Sequence, residues 1–238
     1  MMDNLNSKVI KLNKYGIKHI IKKCLVCIIL ILIFFLSAGR LDIYRAWIFF
    51  IIFYTNETIE SIIIYKKFPE FLNIRGKKKQ GIKTFDKIIR PLYNILVFYA
   101  FILIAGLDIG RYHWSTIDFY FIFLGVTLVG IASSLVIWSI LHNIYFESTV
   151  RIQTDRNQKV VMSGPYKYIR HPGYSGLFLS HIGYPLIIGS ICSYIPIIIG
   201  LSLLIIRTYF EDNTLKKELK GYDLYTKKVK YRLFPGIW

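Results

Sequence analysis

Between two long apolar runs lies the segment Ser163-Gly164-Pro165-Tyr166-Lys167-Tyr168-Ile169-Arg170-His171-Pro172-Gly173-Tyr174-Ser175-Gly176. Pro172 stops regular helix before it and restricts His171 to an extended backbone. Gly173 and Gly176 let the chain approach a ligand closely where the next apolar run begins. Amides at a helix N-terminus attract anions, so Arg170 and His171 beside them could hold a carboxylate. Tyr166, Tyr168 and Tyr174 offer rings to a positive group, each worth about 0.5–2 kcal/mol when well placed. An interfacial aromatic belt with a snorkelling arginine accounts for a Tyr or an Arg singly, but not for a proline and two glycines at this spacing.

A second set closes the next apolar run. Glu211-Asp212 follows Arg207 where a helix C-terminus would repel acids. Carboxylates there could accept hydrogen bonds from ligand hydroxyls or an ammonium group, and Glu211, four residues after Arg207, could pair with it. The competing reading is that 211–230 continues as a solvated amphipathic helix whose acids balance its lysines. Glu57 and Glu60 share a helical face inside an apolar run, which leaves both acceptor binding and a structural ion pair open. His142, Asn143 and His181 read as satisfied polar contacts, and His113 falls on the outer side.

These groups need elements to carry them, and composition says what kind. The chain has 238 residues, is 54% hydrophobic and has a mean hydropathy of +0.45, too much apolar surface for one small soluble core. Apolar runs near the ~20 residues that a bilayer core demands fall at roughly 24–39, 46–65, 91–107, 117–141, 174–192 and 195–210. The expected fold is an all-α, polytopic bundle of about six membrane segments with a helical C-terminal tail. From Gly173 to Ile206 no charged residue occurs. As helix that stretch reaches roughly 51 Å, short of the about 60 Å of two full crossings, so the last two segments form a thin pair or a re-entrant hairpin. Residues 66–90 read as an interfacial amphipathic segment.

The net charge of +17 does not imply nucleic acid. All but three of the 31 Lys and Arg lie in alternate connectors: 1–23, 66–90, 142–172 and 207–238. Positive connectors stay cytoplasmic, so both termini and the 142–172 segment are expected on that side. Cys24, Cys27 and Cys192 form no disulfide framework, and no metal-spaced cluster occurs. The absence of a Gly-x-Gly-x-x-Gly turn and of a phosphate loop excludes a soluble dinucleotide-type methyltransferase fold.

Gly164-Pro165-Tyr166, then Arg170-His171-Pro172-x-Tyr174-x-Gly176, the acidic pair 211–212, Gly221-Tyr222-x-x-Tyr225 and Arg232-x-x-Pro235 resemble, in order, the isoprenylcysteine carboxyl methyltransferase and phospholipid methyltransferase group of integral membrane enzymes. The resemblance covers 142–238 strongly and implies a cytosolic pocket for S-adenosylmethionine, with an acceptor arriving laterally from the membrane. Carried over by position, Tyr166, Arg170, His171, Tyr174, Gly176, Glu211 and Asp212 would line that pocket, with Val160 and Val161 near the adenine. Asp212 stands where Glu is common, which keeps the charge and shortens the reach. Arg207 and Glu211 are the candidate catalytic pair, and the tail would fold back over the pocket. The chain is read as one membrane domain, 1–141 transmembrane and 142–238 the methyltransferase core. The acceptor class is a prenylated-cysteine carboxylate or a lipid among membrane lipids. A sterol-reductase-type enzyme using NADPH is the rival enzyme, and a small transporter with Glu57 and Glu60 as pathway residues is the rival without catalysis.

Overall fold

Asn13 accepts hydrogen bonds from the Tyr15 and Gly16 amides and starts α1 (Lys14–Ala38), which Gly39 closes in the left-handed region (φ 71°). Such caps satisfy orphan backbone groups at both helix ends. The computed structural model describes residues 12–238, and among them it is 72% helix with no strand. After α1 come α2 (Tyr44–Lys67) and the short α3 (Pro69–Gly76). One continuous helical run, Thr84–Tyr112, joins α4 (Thr84–Asn94), a π-helical stretch, α5 (Phe101–Gly106) and a second π-helical stretch. Pro91 lies inside α4 and removes one backbone donor from the ladder just before the wider turns begin. The C-terminal half holds α6 (Phe121–His142), α7 (Pro172–Ile188), α8 (Tyr194–Glu218) and α9 (Tyr222–Lys228).

Five of these runs are long and apolar enough to cross a membrane: Lys14–Ala38, Tyr44–Lys67, Thr84–Tyr112, Phe121–His142 and Tyr194–Glu218. The protein is a multi-pass integral membrane protein. α7 has 17 residues, about 26 Å of helix, less than a bilayer core. The segment expected at 174–192 is therefore the short partner in its hairpin. Two boundaries differ from the sequence reading. α1 starts at Lys14 rather than near residue 24, its basic first turns being helical too. α8 runs on past its apolar part to Glu218, so Glu211 and Asp212 sit in helix interior and not at a helix end.

Rings from α2, α5 and α7 fill the centre, with Phe49 5.7 Å from Phe101 and 5.4 Å from Tyr184. α6 and α7 pack backbone against backbone. A Cβ added to Gly183 would come within 2.8 Å of the Gly125 carbonyl, and one on Gly176 within 2.9 Å of the Ala132 carbonyl. Small residues let membrane helices meet backbone to backbone. This contact fixes the start of α7, and with it the 163–176 segment, against the end of α6.

Candidate functional site

At that end of the bundle one fully buried carboxylate gathers four elements. Asp212 on α8 accepts a bidentate pair from Arg170 (Nε–Oδ1 2.7 Å, Nη2–Oδ2 2.8 Å), a bond from the Tyr222 hydroxyl at 3.0 Å and one from Arg232 Nε at 3.0 Å. The His171 ring nitrogen lies 3.3 Å away. A bidentate fork is the strongest neutralisation a carboxylate can receive. Burial works to lower the Arg170 pKa, but the hydrogen bonds to Asp212 raise it past the ordinary arginine value. Burial, and then Asp212, push the Tyr222 phenol up. Arg170 also donates to the carbonyls of Val229 and Lys230. The amides of Arg170 and His171 donate to Tyr231 and Arg232. The tail is thus laid across the motif, and Ser175 Oγ holds it again at the Leu233 carbonyl, 2.6 Å away.

In front of this anchor lies a cavity of about 110 Å³. Val160 and Val161 line it with Ile152, Leu215 and Leu219, while Tyr166, Tyr174, Tyr222 and Tyr225 supply rings and Glu211 a carboxylate. Tyr174 stacks on the His171 ring at 5.7 Å and donates its hydroxyl hydrogen to Glu211. Arg207 donates to the same hydroxyl and lies 5.1 Å over its ring. Tyr166 receives a bond from Asn143 at 3.1 Å, and its carbonyl accepts from Tyr225 at 2.7 Å. Burial pushes the Tyr166 phenol up, so it stays neutral. The far wall is the 145–153 stretch, pinned by Glu147, which holds Lys79 at 2.9 Å and Arg151 at 3.0 Å. Burial would raise the Glu147 pKa, yet the bonds from Arg151 and Lys79 hold it below the usual carboxylate value.

Residues 120–220, which carry α6, the motif segment, α7 and all of α8, match the family model for phospholipid methyltransferases. This region is similar to the phospholipid methyltransferase family. The family is one of integral membrane methyltransferases and includes the isoprenylcysteine carboxyl methyltransferases. No curated protein matches the chain. The family region supplies most of the cavity wall, while Tyr222 and Tyr225 from α9 lie just beyond it.

Among the residues that the sequence singled out, Val160, Val161, Tyr166, Arg170, His171, Tyr174 and Glu211 meet around this one cavity. Gly176, Asp212, Arg207 and Tyr168 do not line it. Gly176 packs against α6, where any side chain would strike Ala132 and Val136. Asp212 lies behind the wall with its oxygens taken. Arg207 pairs with Asp86 at 2.7 Å and the Ser148 carbonyl at 2.9 Å, and reaches Glu211 through the Tyr174 hydroxyl rather than by the direct pair expected. Tyr168 points away and is 64% exposed. Arg170 and His171 present their polar ends to Asp212, so the carboxylate they were expected to hold is already there, inside the protein. Glu57 pairs with Lys23 at 2.6 Å and Glu60 with Arg75 at 2.9 Å, both away from the cavity.

The sequence reading missed Asp86, which lay in what was taken for an interfacial segment. Its oxygens accept from Arg207 and from the Val150 amide at 2.8 Å. The available signal was an acid within the strongly basic 75–90 stretch. It also missed Lys159, a cavity-lining cation that makes no ion pair among the described residues.

Proposed function

We propose that the protein transfers a methyl group from S-adenosylmethionine to a lipophilic acceptor borne by the membrane. The observation that carries this reading is the Glu211 carboxylate, held by the Tyr174 hydroxyl inside an aromatic cavity in the family-matched region. The donor set suits the cofactor: a carboxylate for an ammonium or ribose hydroxyls, rings for a sulfonium, aliphatic walls for an adenine, and Lys159 for a carboxylate. When bound, the cofactor supplies an electrophilic methyl on a sulfonium whose charge is lost in the transfer.

The protein's own task is alignment and exclusion of water. The Tyr166 ring favours positive charge, while Tyr174, already faced by His171 and Arg207, acts through its hydroxyl on Glu211. Val160, Val161, Leu215 and Leu219 keep the wall dry. A carboxylate acceptor needs no base. An amine acceptor must give up a proton, and Glu211 is the group placed to take it. In this reading 142–238 is the cofactor-binding part, 1–141 anchors it, and the cavity and both termini face the cytosol.

Equilibrium binding of radiolabelled S-adenosylmethionine to the purified protein, with NADPH as competitor, tests the reading. Saturable binding that NADPH leaves unchanged, lost in E211Q, is expected. Binding of NADPH in its place would overturn it. Methyl-label transfer into a total lipid and protein extract then reads out the acceptor class.

A further inference from the structure

Like Lys159, a second cation near the cavity has no ion-pair partner among the described residues. Arg90 lies on α4, four residues after Asp86 and three before Tyr93, positions that share one helical face. That face is the inward one: Asp86, Tyr93 and Val97 are all buried, while Ile88, Leu92 and Ile95 on the other side are exposed. Arg90 itself is half-buried. Among the described residues it makes no hydrogen bond and no ion pair, although Arg207, Asp86 and Tyr174 are its charged and polar neighbours. Asp86 is engaged by Arg207 and the Val150 amide and makes no ion pair with Arg90. Tyr93 turns instead to His181, 3.5 Å away.

A half-buried guanidinium without an anion is costly, and charged groups at membrane depth are paired or face a pathway. We propose that Arg90 binds the anionic group of the acceptor, a carboxylate or a phosphate, where the acceptor lies beside α4 and α8 next to Tyr174. This inference rests on the proposed reading, since it makes the incoming anion part of the methyl acceptor. It adds a specificity element: a flat five-donor fork suited to two anionic oxygens, set at the first turns of a membrane-spanning run, the depth at which lipid headgroups and carboxylates sit. Neutral lipids of the same chain length lack the group that would satisfy it.

The test uses the full-length protein in detergent micelles with three radiolabelled probes: palmitate, dioleoyl phosphatidic acid and hexadecanol. Saturable binding of at least one anionic probe is expected, with hexadecanol much weaker. R90Q should weaken that binding roughly ten- to hundredfold, the worth of a charged hydrogen bond, and R90K should recover part of it. Binding of S-adenosylmethionine should change less than about twofold, since Arg90 lies outside the cavity wall. Preference for palmitate assigns a carboxylate acceptor, preference for phosphatidic acid a phosphate-bearing one. Equal binding of the anionic probe to R90Q and wild type, or of hexadecanol and palmitate to wild type, overturns the inference. Should R90Q not fold, arginine modification by phenylglyoxal in the wild type is mapped at Arg90. Protection by the anionic probe but not by hexadecanol supports the assignment, and no protection sinks it. Failure of S-adenosylmethionine to bind the wild type would sink the proposed function instead, and the probe results would remain readable.

Discussion

Two adjacent acids on α8 have unlike fates. Glu211 faces the cavity and has a single hydroxyl donor, whereas Asp212 faces away and is saturated by two arginines and a tyrosine. Successive helical positions point about 100° apart, so one residue of spacing separates a reactive group from a framework group. E211Q should therefore abolish cofactor binding while leaving the melting temperature within a few degrees, read by thermal unfolding in detergent. D212N should do the reverse in kind. Removing one partner of a buried ion cluster costs roughly 3–5 kcal/mol, so a large fall in melting temperature is expected, and an unchanged melt would refute the anchoring role. The residue types were legible in the sequence because Arg, His and an acidic pair are rare between apolar runs. Their division of labour was not, since it depends on which side of α8 each acid faces. The Arg207–Glu211 spacing suggested a direct pair. A tyrosine from α7 stands between them, and no local pattern announces a third residue from another helix.

At the scale of elements, the α6–α7 contact and the 145–153 wall set the cavity's dimensions. G176V should push the start of α7 off Ala132 and Val136. Overpacking costs about 1–3 kcal/mol, and the expected result is a lower melting temperature with weaker cofactor affinity. Full affinity would show that α7 tolerates the shift. The wall depends on Glu147 being ionised. Its folded pKa lies below the ordinary 4.5, so its stabilisation is complete above that value and is lost as pH falls through the folded one. Hydrogen exchange of residues 143–153, normalised for intrinsic rate, should show protection near neutral pH that is lost as the pH falls through the folded value, below 4.5. Constant protection would mean that the wall does not need the ion pairs. The helices themselves were largely legible, because hydropathy reports them directly. Their ends were less so: basic residues extend α1 downward and acids extend α8, and hydropathy treats both as loop. Asp86 escaped notice for the same reason.

For the whole molecule, the charge pattern predicts that the cavity, the tail and the connector 66–90 lie on one side of the membrane, as the proposed function requires. In a background without cysteine, Y168C and L224C should react with a membrane-impermeant maleimide from the same side, and Y120C from the other. All three positions are well exposed, at 64%, 64% and 81%, so failure to react reports shielding by the membrane and not burial. Labelling of Tyr168 and Leu224 positions from opposite sides would dismantle the proposed pocket. This arrangement follows from global sums that any reading of the chain can make. The cavity does not, because its walls come from segments separated by up to about eighty positions in the chain.

The bonds from Arg170 to Val229 and Lys230 span 59 and 60 residues. During synthesis the Arg-His-Pro turn is therefore inserted well before the carboxylate and carbonyls that will hold it exist. Until Asp212 follows, the turn at the start of α7 carries an unmatched guanidinium. A chain halted before residue 212 would leave that guanidinium without its carboxylate, and one halted between 212 and 229 would lack the carbonyls that complete its cage.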